Sequence, residues 1–266
     1  MKTVISVPSR SDEHALLDSV TVRVPQDIRP AAEALADFVA TLGLRAALCE
    51  DISSAETMTD FEGGVLASEV FGWLADGDRW WEDHRLALHS PLPRACRYES
   101  EPFWCSAEGF FTAFPNSHLD AIKLNRFMVT QFHYAAAIVI PVHLPFAQIS
   151  ANSFVSCNPK LDDLSNVFAT HGRTLALVTR RFISSYVTTM RSSRRIPSDC
   201  GLSKREVECL RWAAIGKTDR EIGMIITLSH ATVRYHINRA SEKLNAVNRA
   251  QTIFKAGQLG YLGART

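Results

Sequence analysis

Three side chains near the C-terminus have the chemistry to read the edge of a nucleic-acid base. In HATVRYHINRASEKL (230–244), Arg234, Tyr235 and Asn238 share one side of a helical wheel drawn at about 100° per residue. Val233, Ile237, Ala240 and Leu244, at i, i+4, i+7 and i+11, form a narrow apolar stripe on the other side, which must pack on something. A solvated helix face normally mixes Lys, Glu and Gln, whereas this one offers a guanidinium, a phenol and an amide within about one turn. Arg can donate two hydrogen bonds to guanine. Asn can pair bidentately with adenine, and Tyr can reach a phosphate or pack against a thymine methyl.

Such a helix is useful only if neighbouring elements hold its polar face outward. Ser203 with Glu206, and Thr218 with Glu221, have the spacing of capping boxes, so helices are expected over REVECLRWAAIG and DREIGMII. Ser229 then caps the quoted helix, and Asn248 begins a fourth, RAQTIFKAGQLG. Only a few residues around Thr227 to Ser229 separate the second helix from the third, a helix-turn-helix spacing with the third helix in the recognition position. Lys217, Thr218, Ser229, Thr232 and Arg239 are placed to grip phosphates, helped by N–H groups at the helix N-termini.

The charge distribution agrees. The net charge of the 266 residues is +1, but residues 1–179 hold 13 basic and 22 acidic side chains and residues 180–266 hold 16 and 6, giving −9 and +10. A basic rear half meets a polyanion; a merely solvated helical bundle has no need of that segregation. An apolar content of 46% with 21% charged residues excludes a disordered chain, and the length suits two domains. The six cysteines (Cys49, Cys96, Cys105, Cys157, Cys200, Cys209) lack metal-ligand spacing and are expected as reduced thiols in a cytoplasmic protein, with no cofactor and no metal. The start, MKTVISVPSRSDEH, has too short an apolar run for a signal peptide. Residues 127–159 carry no formal charge, yet Pro141, Pro145, His133, His143, Gln148 and Asn152 interrupt them. A buried sheet is expected there and no membrane span.

The front half suggests a pocket. Trp73, Trp80, Trp81 and Trp104 fall within 32 residues, followed by Phe110, Phe111 and Phe114, with His84, Ser90, Arg94, Arg97 and Glu99 as polar groups among them. Aromatics with a few polar groups suit a small apolar ligand, and equally an ordinary core. Strands are expected at 135–143 and 147–156, joined around Leu144 to Phe146, and at 45–50 and 96–104. Helices are expected at PAAEALADFVATLG, with Pro30 first and Gly43 as the stop, and at 66–75, 78–88, 117–132 and 161–190. The order lacks a βαβ repeat, which favours an α+β chain: an N-terminal α/β/α sandwich on an antiparallel sheet, then an all-α four-helix domain. The composition of TTMRSSRRIPSDCG marks a linker. The expected domains are 1–190, a linker at 191–198, and 199–266.

LSKREVECLRWAAIGKTDREIGMIITLSHATVRYHINRASEKLNAVNRAQTIFKAGQLGYL resembles the LuxR-type helix-turn-helix domain over about 60 residues, through Glu206, Leu210 and Gly216, then GKT-x-x-EI, TV-x-x-HI, KLN and NRAQ. The resemblance implies that Arg234, Tyr235 and Asn238 are base-reading positions, that Glu206, Leu210 and Gly216 are scaffold, and that the fourth helix carries dimer contacts. The front half resembles the autoinducer-binding domain of quorum-sensing members, through WWEDHRLALHSPLPRACRYESEPFW and AIVIPVHLPFAQISANSF. Two departures stand out. Ser90 precedes Pro91 where acyl-homoserine-lactone binders have Asp, and Ala137 stands four before Pro141 where they have Gly. The ligand site this implies comprises Trp73, Trp80, Trp81, His84, Ser90, Arg97, Trp104 and Ala137.

Rival readings fare worse. GKT at 216–218 lacks the glycine a phosphate loop needs, since Arg211 stands there. VTVRVPQD supplies no acidic pair for a receiver domain. Cys96 or Cys105 with His84 or His89 is a conceivable nucleophile and base, more simply read as core thiols and surface histidines. The expectation is therefore no enzyme but a ligand-responsive transcription regulator: a homodimer on double-stranded DNA, sensing a small hydrophobic molecule other than a common acyl-homoserine lactone. The alternative is a regulator whose front half binds a protein partner.

Overall fold

The computed structural model describes residues 10–53, 56–73, 90–124, 134–190 and 201–263, which fall into two compact units with the main break after Arg191. The linker expected at 191–198 and the helix at 78–88 lie outside the described residues.

The first unit is built on a five-stranded, wholly antiparallel sheet of order β1-β5-β4-β2-β3: β1 Leu44–Cys49, β2 Phe103–Ser106, β3 Gly109–Phe111, β4 Ala136–His143 and β5 Ile149–Ser156. The charge-free stretch becomes β4 and β5 at the middle of the sheet, with almost every residue buried. No helix among the described residues is long and apolar enough to cross a membrane. Its helices are α1 Arg10–Ser19, α2 Ile28–Thr41, α3 Leu66–Glu69, α4 Pro91–Ala95, α5 Ser117–Asp120 and α6 Ser165–Met190. His143 of β4 bonds the Cys96 carbonyl at 2.9 Å, which sets the end of α4 on the sheet face that His143 shares. Helices α2 and α6 pack on each other and on the sheet. Phe103, Phe154, Phe182, Leu35 and Ile138 are fully buried between the layers, each worth about 1.5–3 kcal/mol.

Several boundaries differ from expectation for local reasons. The strand expected at 96–104 is only Phe103–Ser106, because the Tyr98 and Glu99 N–H groups both turn back to the Ala95 carbonyl and Pro102 has no donor for a ladder. The 66–75 helix stops at Glu69, and Gly72 follows in the left-handed region at φ +69°. Helix α2 begins at Ile28, so Pro30 is in its first turn and not its first position, while Gly43 at φ +70° does lie just past its end. Helix α6 starts at Ser165, four residues later than expected. Only Ser117–Asp120 of the 117–132 helix is described as helical, and 125–133 lie outside the described residues. Helices α1 and α4 and strand β3 were not anticipated.

The second unit has four helices: α7 Lys204–Ala214, α8 Asp219–Ile226, α9 His230–Lys243 and α10 Arg249–Gln258. Each begins at its expected cap. Ser203 and Thr218 close reciprocal capping boxes with Glu206 and Glu221, while Ser229 and Asn248 accept from Thr232 N and Gln251 N. Leu210, Ile222, Val233, Ile237, Ala240 and Leu244 form the core, so the apolar stripe of 230–244 is the inner face of α9.

One ion pair ties this unit together. The Glu206 side chain is 6% exposed; it accepts from Ser203 N at 2.7 Å and from the Lys243 ammonium at 2.8 Å, joining α7 to α9. Burial pushes its carboxyl up, but the Lys243 and Ser203 hydrogen bonds outweigh that and hold it below the ordinary 4.5. Such a pair stabilises above the unfolded-state value and is lost as pH falls through the folded one. Glu206→Gln is therefore expected to destabilise this unit by about 1–2 kcal/mol at pH 7. The difference from the parent shrinks steadily below about pH 4.5, which thermal melts across pH 3–7 will show. A difference that persists unchanged at pH 3 would contradict the charge-based origin.

Candidate functional site

The recognition geometry of the second unit follows from the α8–α9 turn. Thr227 closes α8 in the left-handed region at φ 58°, and Leu228 N returns to the Gly223 carbonyl at 2.9 Å. With its stripe buried, α9 projects Arg234, Tyr235, Asn238 and Arg239 outward. Arg234 has a 65% exposed side chain, Tyr235 is 60% exposed, and the other two are exposed. Arg239 pairs with Glu242 at 2.8 Å on its own helix, and Arg234 donates from Nε to Asp219 at 3.3 Å.

The phosphate-gripping candidates are more committed. Thr218 donates its only hydroxyl proton to Glu221 at 2.7 Å, so its side chain is a cap in the free protein. Ser229 and Thr232 share one hydrogen bond between their hydroxyls at 2.8 Å, leaving one of the two protons available. Lys217 is half-buried, with its ammonium 3.9 Å from Glu221. A concave surface between the helices collects Lys217, Arg220, His230, Arg234 and Arg249 around Asp219. Arg220, His230, Arg249 and Asp219 were missed in the sequence. The only signal for them was position: Asp219, His230 and Arg249 are the first residues of their helices, Arg249 also within NRAQ, and Arg220 follows Asp219.

In the first unit, strand register decides which side chains share a face, because directly opposed residues point the same way. Arg45, Val155, Ala137, Cys105 and Phe110 form one row across the sheet, on the face that carries His143 and α4. The neighbouring row, Ala46, Phe154, Ile138, Trp104 and Phe111, belongs to the opposite face. Trp104 therefore points away from Ala137 and stacks on Phe111, with centroids 4.0 Å apart and planes 7° from parallel. Trp104 and Ala137, expected in one site, do not share a sheet face: a one-residue step along β2 changes face, and Cys105 stands on the Ala137 side.

Trp73 is 3% exposed, donates Nε1 to the Ala46 carbonyl at 2.6 Å, and meets Tyr134 edge-on at 5.9 Å. The Arg45 guanidinium lies 5.2 Å above its ring, a cation–π contact. Ser90 is half-buried at the start of α4, and its side chain makes no capping hydrogen bond. Arg97 is exposed. Trp80, Trp81 and His84 lie outside the described residues. Arg45 and Tyr134, missed in the sequence, are the groups that the fold brings to Trp73.

Thiol chemistry finds little support on this face. Burial pushes Cys49 up to about 11, Cys105 up to about 12 and Cys96 further still, so all three are neutral, apolar lining at pH 7. Among the described residues, no group of three or more His, Cys, Asp or Glu is placed to hold a metal ion.

Residues 201–256 match the family of bacterial regulatory proteins, luxR family. The chain is 35% identical over 127 residues to the transcriptional activator protein VanR of Vibrio anguillarum, a match covering 48% of this chain and 52% of that one, about half its length. It is 28% identical over 199 residues to the HTH-type quorum sensing-dependent transcriptional regulator RpaR of Rhodopseudomonas palustris, covering 72% and 73%. Among solved structures, Escherichia coli SdiA aligns over 95% of this chain and 98% of its own, with a TM-score of 0.49 and 16% identity.

Proposed function

We propose that this chain, whose C-terminal domain is a luxR-family DNA-binding domain, is a cytoplasmic transcription regulator that binds double-stranded DNA as a homodimer and responds to a small hydrophobic effector held by its N-terminal unit. The observation that carries the DNA half is the α9 face: Arg234, Tyr235 and Asn238 exposed on a helix whose other face is locked into the core. Two copies reading half-sites about one helical turn apart bind more tightly than one. In full-length protein, Arg234→Ala is expected to cost about 1–3 kcal/mol and relax base preference at one position per half-site. Lys217→Ala weakens all sequences alike. Binding-site selection from a random pool followed by titration measures both; equal losses of specificity in the two variants would remove the division of labour.

The effector half rests on the Trp73 face of the sheet. By resemblance, the Asp that Ser90 replaces accepts a hydrogen bond from the amide N–H of an acyl-homoserine lactone. A charged acceptor there is worth about 1.5–3 kcal/mol, and an unpaired buried donor loses its hydration as well. Ser90 is shorter and neutral. Aromatic surface at buried Trp73 and half-buried Tyr134, with Arg45 beside it, suits instead a flat apolar body with a polar or acidic end. Tryptophan-fluorescence titration is expected to show weak binding of common acyl-homoserine lactones and tighter binding within a panel of aromatic acids. Sub-micromolar lactone binding that survives Ser90→Ala overturns this choice. Native mass spectrometry that finds the N-terminal unit empty in every preparation favours a protein partner for it.

A further inference from the structure

We propose that Asp219 determines how sharply this domain discriminates between sequences, by holding the Arg234 guanidinium end-on toward a base and away from the phosphate backbone. The inference rests on the DNA-reading role of Arg234 proposed above. Asp219 is the first residue of α8, where the helix dipole favours a negative charge, and its side chain is 17% exposed. Its two oxygens are used differently. Oδ1 accepts from Nη1 of Arg249, which also donates Nη2 to the Lys217 carbonyl at 2.8 Å; Arg249 is thus anchored twice and acts as a strut between α10 and the start of α8. Oδ2 accepts a single 3.3 Å bond from Nε of Arg234 on α9.

A guanidinium carries five N–H donors in a rigid planar fork. With Nε given to Asp219, the two Nη groups remain for a bidentate contact to guanine O6 and N7. An untethered arginine on that surface reaches phosphates as readily as bases, and phosphate contacts carry no sequence information. A carboxylate facing a polyanion also costs affinity on every sequence alike. Asp219 therefore trades general affinity for discrimination, and its loss must move the two in opposite directions. A purely structural role, with Asp219 only bracing α10 through Arg249, would lower both together.

The test uses full-length protein, a duplex selected from a random pool by the parent protein, and a scrambled duplex of equal length. Asp219→Asn, which keeps the shape and removes the charge, is expected to tighten binding to the scrambled duplex and to steepen its salt dependence by about one unit, the slope of one added phosphate contact. The ratio of selected to scrambled affinity falls about tenfold. In an Arg234→Ala background the same substitution leaves the ratio unchanged, since the group it positions is gone. A ratio within twofold of the parent, or weakened binding to both duplexes, overturns the proposal while Arg234→Ala still lowers the ratio. If Arg234→Ala itself leaves the ratio intact, the reading of Arg234 as a base reader has failed, and the proposal with it. A thermal melt of each variant separates lost folding from lost discrimination.

Discussion

Trp73→Ala is expected to destabilise the N-terminal unit by about 3–5 kcal/mol, the usual cost of emptying a large buried aromatic site. Three losses coincide there. The indole is 3% exposed, its N–H is the donor to the Ala46 carbonyl at the edge of the sheet, and its ring supports both Tyr134 and the Arg45 guanidinium. Trp73→Phe keeps most of the buried area and loses only the donor, so a cost of about 1–2 kcal/mol is expected. Urea unfolding of the full-length chain, with limited proteolysis to report which unit opens first, measures both. Losses below about 1 kcal/mol for the alanine variant would show that the site relaxes and that Trp73 is not a keystone of this sheet face.

Gly223→Val is expected to abolish specific DNA binding while leaving the N-terminal unit folded. A Cβ at this position would lie 2.5 Å from the Leu228 carbonyl oxygen, a backbone atom in the turn that sets α9 against α8. The turn cannot retreat cheaply, because Leu228 N is bonded to the Gly223 carbonyl and Thr227 already sits in the left-handed region. Forcing the helices apart costs about 3 kcal/mol, and the branched side chain recovers little as a helix former. Gly223→Ala gains up to about 1 kcal/mol of helix propensity, which offsets part of the clash, so it is expected to fall between parent and valine variant. Band shifts with the selected duplex, beside thermal melts of the same samples, provide the measure. Parent-like affinity in the valine variant would mean that the α8–α9 angle does not govern recognition.

These outcomes separate what is written locally in the chain from what is not. The C-terminal unit was legible because its signals act over three or four residues. Ser203 with Glu206 and Thr218 with Glu221 satisfy helix-end N–H groups whatever the rest of the molecule does, and the stripe of Val233, Ile237, Ala240 and Leu244 has one period and one way to be buried. β4 and β5 were legible for a similar reason, as uncharged β-branched runs on either side of a tight turn.

The N-terminal site was legible in composition only. Aromatic residues cluster between 73 and 114, but which face each one takes depends on pairing with strands far away in sequence. Trp104 and Cys105 exchange faces with a one-residue change of register against Ile138 and Ala137. The same holds for Arg45 over Trp73, and for Arg234 on Asp219, 15 residues away on another helix. Caps and amphipathic periods are settled by neighbours along the chain, so the sequence alone determined the four helices of the second unit, the caps at which they start and the face that α9 exposes. Sheet faces, buried donors and cross-helix ion pairs are settled by neighbours in space, so only the tertiary structure decided which aromatic side chains share a sheet face with Ala137 and which carboxylate pairs with Arg234.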